Sequence, residues 1–165
     1  MKIERLRLLN FRGVEQLEVD FRERTTAFVG VNGVGKSTVL DALAIALSQL
    51  TWRLNGQAQK ARTISIDDIR HGAEFARIEV RAELRGHHVG WALAKNRKSG
   101  SHADPRRKSE LDALNAAAKA LGEAWEHVEW VREEGFNLPL GVFYDVNRAV
   151  LEVPMRVREQ LYHNP

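Results

Sequence analysis

The sequence predicts an α/β fold, a sheet flanked by helices, and three observations carry that prediction. Strand-like runs stand at Lys2–Phe11, Val14–Phe21 and Phe75–Leu84. In the last, Ile78, Val80, Ala82 and Leu84 alternate with Arg77, Glu79, Arg81 and Glu83. Two longer runs, Ser37–Leu50 and Ser109–Glu133, place apolar residues at helical spacing. Between a short apolar run, Thr26–Gly30, and the first of these helices lies GVNGVGKST, Gly30 to Thr38.

That stretch satisfies the spacing G-x-x-x-x-G-K-[ST] with Gly30, Gly35, Lys36 and Ser37, and it has strand before it and helix after it. Those residue types suit a phosphate chain. Glycines at 30, 33 and 35, with Asn32 among them, let the backbone turn its N–H groups inward, and the helix that follows points its positive dipole end at the same anion. Lys36 is the catalytic candidate and would reach the β- and γ-phosphates of a nucleotide; the Ser37 hydroxyl would be a ligand of Mg²⁺. Thr38 would add a hydrogen bond toward the α-phosphate. The bland alternative is a glycine-rich turn that binds nothing.

Composition bounds the rest. The 165 residues read as one domain, 1–165, and a hydrophobic content of 44% is ample for a core. No apolar run is long enough to span a bilayer, and a strand-like segment follows Met1, so neither a membrane helix nor a signal peptide is expected. The absence of cysteine fits a reducing compartment, and a cytoplasmic location is the expectation. The net charge of +3 permits contact with nucleic acid without requiring it.

Taken in order, Lys2–Phe11 and Val14–Phe21 are joined by the short turn Arg12-Gly13, and the second has one wet face, carrying Glu18 and Asp20. Thr26–Gly30 ends wholly apolar and is expected to be a buried central strand. The helix from Ser37 is apolar nearly all round, with Asp41 its one early charge, read as sitting near the positive end of the dipole. Thr51–Arg62 reads as a loop. Asp67 and Asp68 read as a helix-start cap with surface charge. Phe75–Leu84 and Val89–Ala94 form a hairpin around Gly86-His87-His88. Lys95–Lys108 is a basic, flexible loop whose chemistry suits either a phosphodiester backbone or solvent. Ser109 with Asp112 resembles a capping box, and Leu111, Leu114, Ala118 and Leu121 form an apolar stripe behind it.

With these residues in view, LLNFRGVEQLEVDF followed by AFVGVNGVGKSTVLDALAIAL resembles the amino-terminal segment of ABC-type ATPases of the SMC, RecF and double-strand-break-repair class, including related AAA-family ATPases of bacterial defence. Asn10-Phe11-Arg12, Asn32, Ser37-Thr38 and Leu40-Asp41-Ala42-Leu43 carry the likeness. The resemblance implies a P-loop NTPase fold, an ABC-type first lobe with a mixed core sheet, an antiparallel side hairpin and flanking helices. It implies ATP and Mg²⁺ as cofactors, a homodimer or hetero-partner that completes the site, and work on DNA in repair or defence. It also makes Arg12 a candidate nucleotide contact, against the alternative of a solvated turn arginine.

Two carry-overs fall late in the chain. Leu138–Asp145 resembles a Walker B strand, with Asp145 as the metal-holding carboxylate. Yet Val146 stands where the family has a catalytic Glu, and no segment of the L-S-G-G type occurs. The other reading is a core strand emptying into a loop that brings a polar side chain, here Asn147 or Arg148, near the nucleotide. Three other functions stay open: a nucleotide-gated module without hydrolysis, a small-molecule kinase, and a transport-type ABC subunit.

Overall fold

β1 (Lys2–Phe11) and β2 (Val14–Asp20) pair antiparallel across Arg12-Gly13, with Phe11 opposite Val14, Leu8 opposite Leu17 and Leu6 opposite Val19. Alternation buries Leu6 and Leu8 and leaves Arg5 and Arg7 on the outer face, paired with Glu18, Asp20 and Glu79; Phe11 is buried out of that period, directly after Asn10 takes a φ of 52°. The computed structural model describes residues 1–22, 25–54, 60–100 and 103–128, with side chains in the last stretch to 123.

β3 (Phe75–Leu84) and β4 (His87–Asn96) form the expected hairpin. Its turn is the two-residue Arg85-Gly86, with φ of 51° and 81°, rather than a loop around the histidines. Two consecutive positive φ values match the right-handed twist of the flanking strands. β3 also pairs with β1, so the hairpin and the first two strands make one antiparallel sheet of order β2-β1-β3-β4.

α1 (Lys36–Leu54) packs on the inner face of this sheet through Val39, Ala42, Leu43, Ile45, Ala46 and Leu50. It runs one turn beyond the expected end at Leu50. Arg53 closes it by donating to the Gln49 carbonyl at 2.8 Å, a cation on the negative end of the dipole. Trp91 of β4, almost fully buried, donates its indole N–H to the Ala46 carbonyl at 3.1 Å and ties helix to sheet. α2 (Asp112–Val128) buries Leu114, Ala118 and Leu121, the predicted stripe, against α1 and β4.

Three expectations are corrected. Residues 25–30 form no strand: Val29 is 93% exposed, and only Phe28 is partly buried, edge-on to Phe21 at 6.3 Å. A strand needs a hydrogen-bonded neighbour, and none of the four described strands runs beside this segment, so the described sheet is antiparallel rather than mixed. Ser109 does not cap α2; its hydroxyl accepts from Ala94 N–H at 2.9 Å, because residues 109–110 extend the edge of β4 through the Ala92–Glu110 bridge. Asp67 and Asp68 start no helix; they lie in a turn.

The basic segment is engaged rather than free. Pro105–Arg107 is a short 3-10 helix capped by Asp104, which also holds Arg106, while Arg107 bonds Asn96 and Glu74 and both arginines lie over the Phe75 ring. Arg77, only 5% exposed, fastens the segment by donating to the Lys108 carbonyl at 2.6 Å and pairing with Glu110 and Glu79. Among the described residues, no helix is long and apolar enough to cross a membrane.

Candidate phosphate-binding site

The loop from Gly30 to Thr38 leaves the segment after β2 and turns directly into α1. Gly33 and Gly35 adopt φ of 84° and 102°, the left-handed region that side-chain-bearing residues resist. A methyl group at either would meet nothing within 4 Å, so the reason for glycine there is the backbone turn itself. Gly30 differs: a Cβ there would come within 3.0 Å of the Val34 Cγ1. These turns send the chain into the helix with its first amides unused. Among the described residues, no acceptor meets the N–H groups of Gly33, Gly35, Lys36, Ser37 or Thr38.

Lys36 folds back over the loop, donating to the carbonyls of Gly30 and Val31 at 2.7 and 2.8 Å. An ammonium resting on two carbonyls, with unpaired amides along the same turn, is a donor set that suits an oligophosphate. Ser37 is exposed on the first turn of α1 and Asn32 is exposed at the loop tip. Val29, Val31 and Val34 also face outward.

Arg12 is not a solvated turn residue. Its guanidinium pairs through Nη1 with Asp41 of α1 and through Nε with Asp68, the latter at 2.8 Å. Burial works against the charge on Arg12, but the bonds from Asp68 and Asp41 outweigh it and its pKa is raised. Burial likewise pushes the Asp68 carboxyl up, yet Arg12 and Ser65 together hold it below the ordinary value. Asp41 therefore has a specific partner in addition to its place near the helix start. The sequence hid this constellation because its members lie far apart in the chain. The available signals were the i, i+4 spacing of Ser37 and Asp41 and the Ser65-x-x-Asp68 turn pattern.

Asp145, Asn147 and Arg148 lie outside the described residues. Among the described residues, no group of three His, Asp or Glu side chains converges as a metal site; of the two expected metal ligands, Ser37 is among the described residues and Asp145 is not.

A model of the AAA ATPase domain family matches residues 1–129. The chain belongs to the AAA ATPase domain family. It is 28% identical over 151 residues to the Retron Ec83 probable ATPase of Escherichia coli, covering 90% of this chain and 26% of that protein. It is 35% identical over 154 residues to the DNA double-strand break repair Rad50 ATPase of Methanopyrus kandleri, covering 92% of this chain and 16% of that protein. The chain thus spans about a quarter or less of the length of these curated relatives. A solved structure from work on ATP-driven dimerisation and DNA-stimulated activation of SMC ATPases is 25% identical, with a TM-score of 0.48, over 72% of this chain and 80% of that one. The family match makes the α/β fold, with its glycine-rich turn into α1, that of an AAA ATPase domain.

Proposed function

We propose that this AAA-family chain is the nucleotide-binding lobe of an SMC/RecF-like ATPase, which binds Mg·ATP at Gly30–Thr38 and couples binding and hydrolysis to dimerisation and DNA-related work. The observation that carries the reading is the run of unpaired amides at the start of α1, with the Lys36 ammonium folded over it. In this reading the amides of Gly33 and Gly35 donate to phosphate oxygens, and Lys36 exchanges the carbonyls of Gly30 and Val31 for the β- and γ-phosphates. Gly30 keeps the turn from clashing with Val34. The Ser37 hydroxyl holds Mg²⁺, which neutralises charge between the terminal phosphates. Arg12 contributes a further donor, and Asn32 lines the mouth of the loop.

Hydrolysis requires carboxylates that hold the metal and orient water. Asp145 is the candidate in this sequence, with Asn147 as the alternative polar contact, and a second copy or a separate partner would complete the site. The isolated chain is then expected to bind ATP with little turnover. Work on DNA in repair is supported by the likeness to a DNA double-strand break repair ATPase, and work in defence extends the resemblance to defence-type ATPases.

Calorimetric titration with Mg·ATP tests the reading. Lys36→Ala should weaken binding at least a hundredfold, about 3 kcal/mol, the scale of a charge-assisted bond removed together with its geometry. Equal affinity in the variant would refute the assignment of the loop.

A further inference from the structure

The segment Ser65–Arg70 belongs to no helix or strand, yet it is bonded on both sides. Toward the first hairpin, Arg12 N–H donates to the Asp68 carbonyl at 2.7 Å, Arg70 N–H donates to the Asn10 carbonyl at 2.9 Å, and Phe11 bridges to Ile69. On its other side, Arg97 donates to the carbonyls of Ile69 and Ala73 at 3.0 and 2.8 Å. Within it, Asp68 accepts from both the N–H and the hydroxyl of Ser65 at 2.9 Å. The turn it braces is one that resists forming, since Asn10 and Arg12 hold φ of 52° and 51°, uncommon for residues with side chains.

The side chain that this bracing fixes is Arg12. Its Nε rests on Asp68, whose side chain is 13% exposed, and its Nη1 rests on Asp41. Asp41 follows Ser37 by four residues on α1, so the two share a helix face about one turn, or 5–6 Å, apart. Among the described residues nothing accepts from Nη2. An arginine side chain otherwise gives up considerable rotamer freedom when it binds a phosphate; one already held at two nitrogens does not.

We infer that Asp68 is a positioning residue for the nucleotide site: with Asp41 it fixes the Arg12 guanidinium one helical turn from Ser37, leaving Nη2 for a phosphate oxygen of the bound nucleotide. The inference rests on the reading of Gly30–Thr38 as an ATP site and adds how that site acquires a pre-set cation. Asp68 itself touches no phosphate. Its effect passes through Arg12, and removing Arg12 should therefore remove the effect of Asp68.

The test is a double-mutant cycle on the full chain, titrated with Mg·ATP, using Arg12→Ala, Asp68→Asn and the pair, with urea midpoints measured alongside. Asp68→Asn should weaken binding about threefold to tenfold, the range for immobilising one long side chain, Arg12→Ala should weaken it at least as much, and the pair should bind no more weakly than Arg12→Ala alone. An Asp68→Asn variant that binds as tightly as the parent, or more tightly, overturns the proposal. So does one that weakens binding equally when Arg12 is already alanine, since it then acts through the fold. Should Asp68→Asn not fold, Asp68→Glu takes its place in the cycle, keeping the charge but displacing the carboxylate by one methylene. Unchanged affinity in Arg12→Ala, with affinity abolished in Lys36→Ala, overturns the inference and leaves the ATP site standing. A parent chain that does not bind Mg·ATP overturns both.

Discussion

Replacing Trp91 with Phe tests whether the indole seats the helix that begins at the phosphate loop. Trp91 is 3% exposed and its N–H bonds the Ala46 carbonyl of α1 at 3.1 Å. The substitution removes one neutral hydrogen bond, worth about 1 kcal/mol net. Ala46 keeps its intrahelical partner, so no carbonyl is orphaned. It also removes two ring carbons from the core, about 1.6 kcal/mol at roughly 0.8 kcal/mol per buried carbon. The sum is about 2.5 kcal/mol, which for a chain of this size corresponds to a fall in Tm of roughly 5–10 °C. Urea unfolding followed by far-UV circular dichroism measures it without depending on tryptophan emission. Well below the midpoint, Mg·ATP affinity should be unchanged, because neither residue belongs to the loop. A destabilisation under about 0.5 kcal/mol would refute the role given to the indole.

Three further predictions concern charge. Asp68 has its pKa depressed from the ordinary 3.8, so its contribution to stability is complete above that value and disappears as the pH falls from 3.8 toward its lower value in the fold. The stability gap between the parent and Asp68→Asn should therefore close over that window; urea midpoints that keep a constant gap down to about pH 2 would contradict it. In the basic segment, Arg107 bonds Asn96 and Glu74. Arg107→Ala should therefore lower the melting midpoint. Neutralising Lys95 and Lys108 should instead reduce the salt slope of duplex-DNA affinity by about 0.9 for each phosphate that they neutralise, and an unchanged slope would remove these lysines from any DNA interface.

How much the sequence disclosed varies with the range of the interaction. Alternation in Phe75–Leu84 and the apolar stripe Leu114-Ala118-Leu121 were legible because strand and helix periods depend on near neighbours. The glycine turn into α1 was legible for the same reason, as Gly33 and Gly35 act within one turn of the chain from Lys36. Thr26–Gly30 misled because composition cannot tell an apolar strand from an apolar segment without a hydrogen-bonded neighbour, and Val29 is exposed. The partners of Arg12 were illegible because Asp41 and Asp68 lie 29 and 56 residues away. Arg107 looked free for the same reason: its partners Glu74 and Asn96, and the Phe75 ring beneath it, lie outside or at the edge of the run.

The most direct measurement of the central claim is the amide spectrum of the ¹⁵N-labelled chain during titration with Mg·ATP. The N–H resonances of Gly33, Gly35 and Lys36 should move downfield together as they bond phosphate oxygens, and in Lys36→Ala those of Gly33 and Gly35 should not respond to Mg·ATP. Saturating Mg·ATP that leaves those three amides unmoved would contradict it.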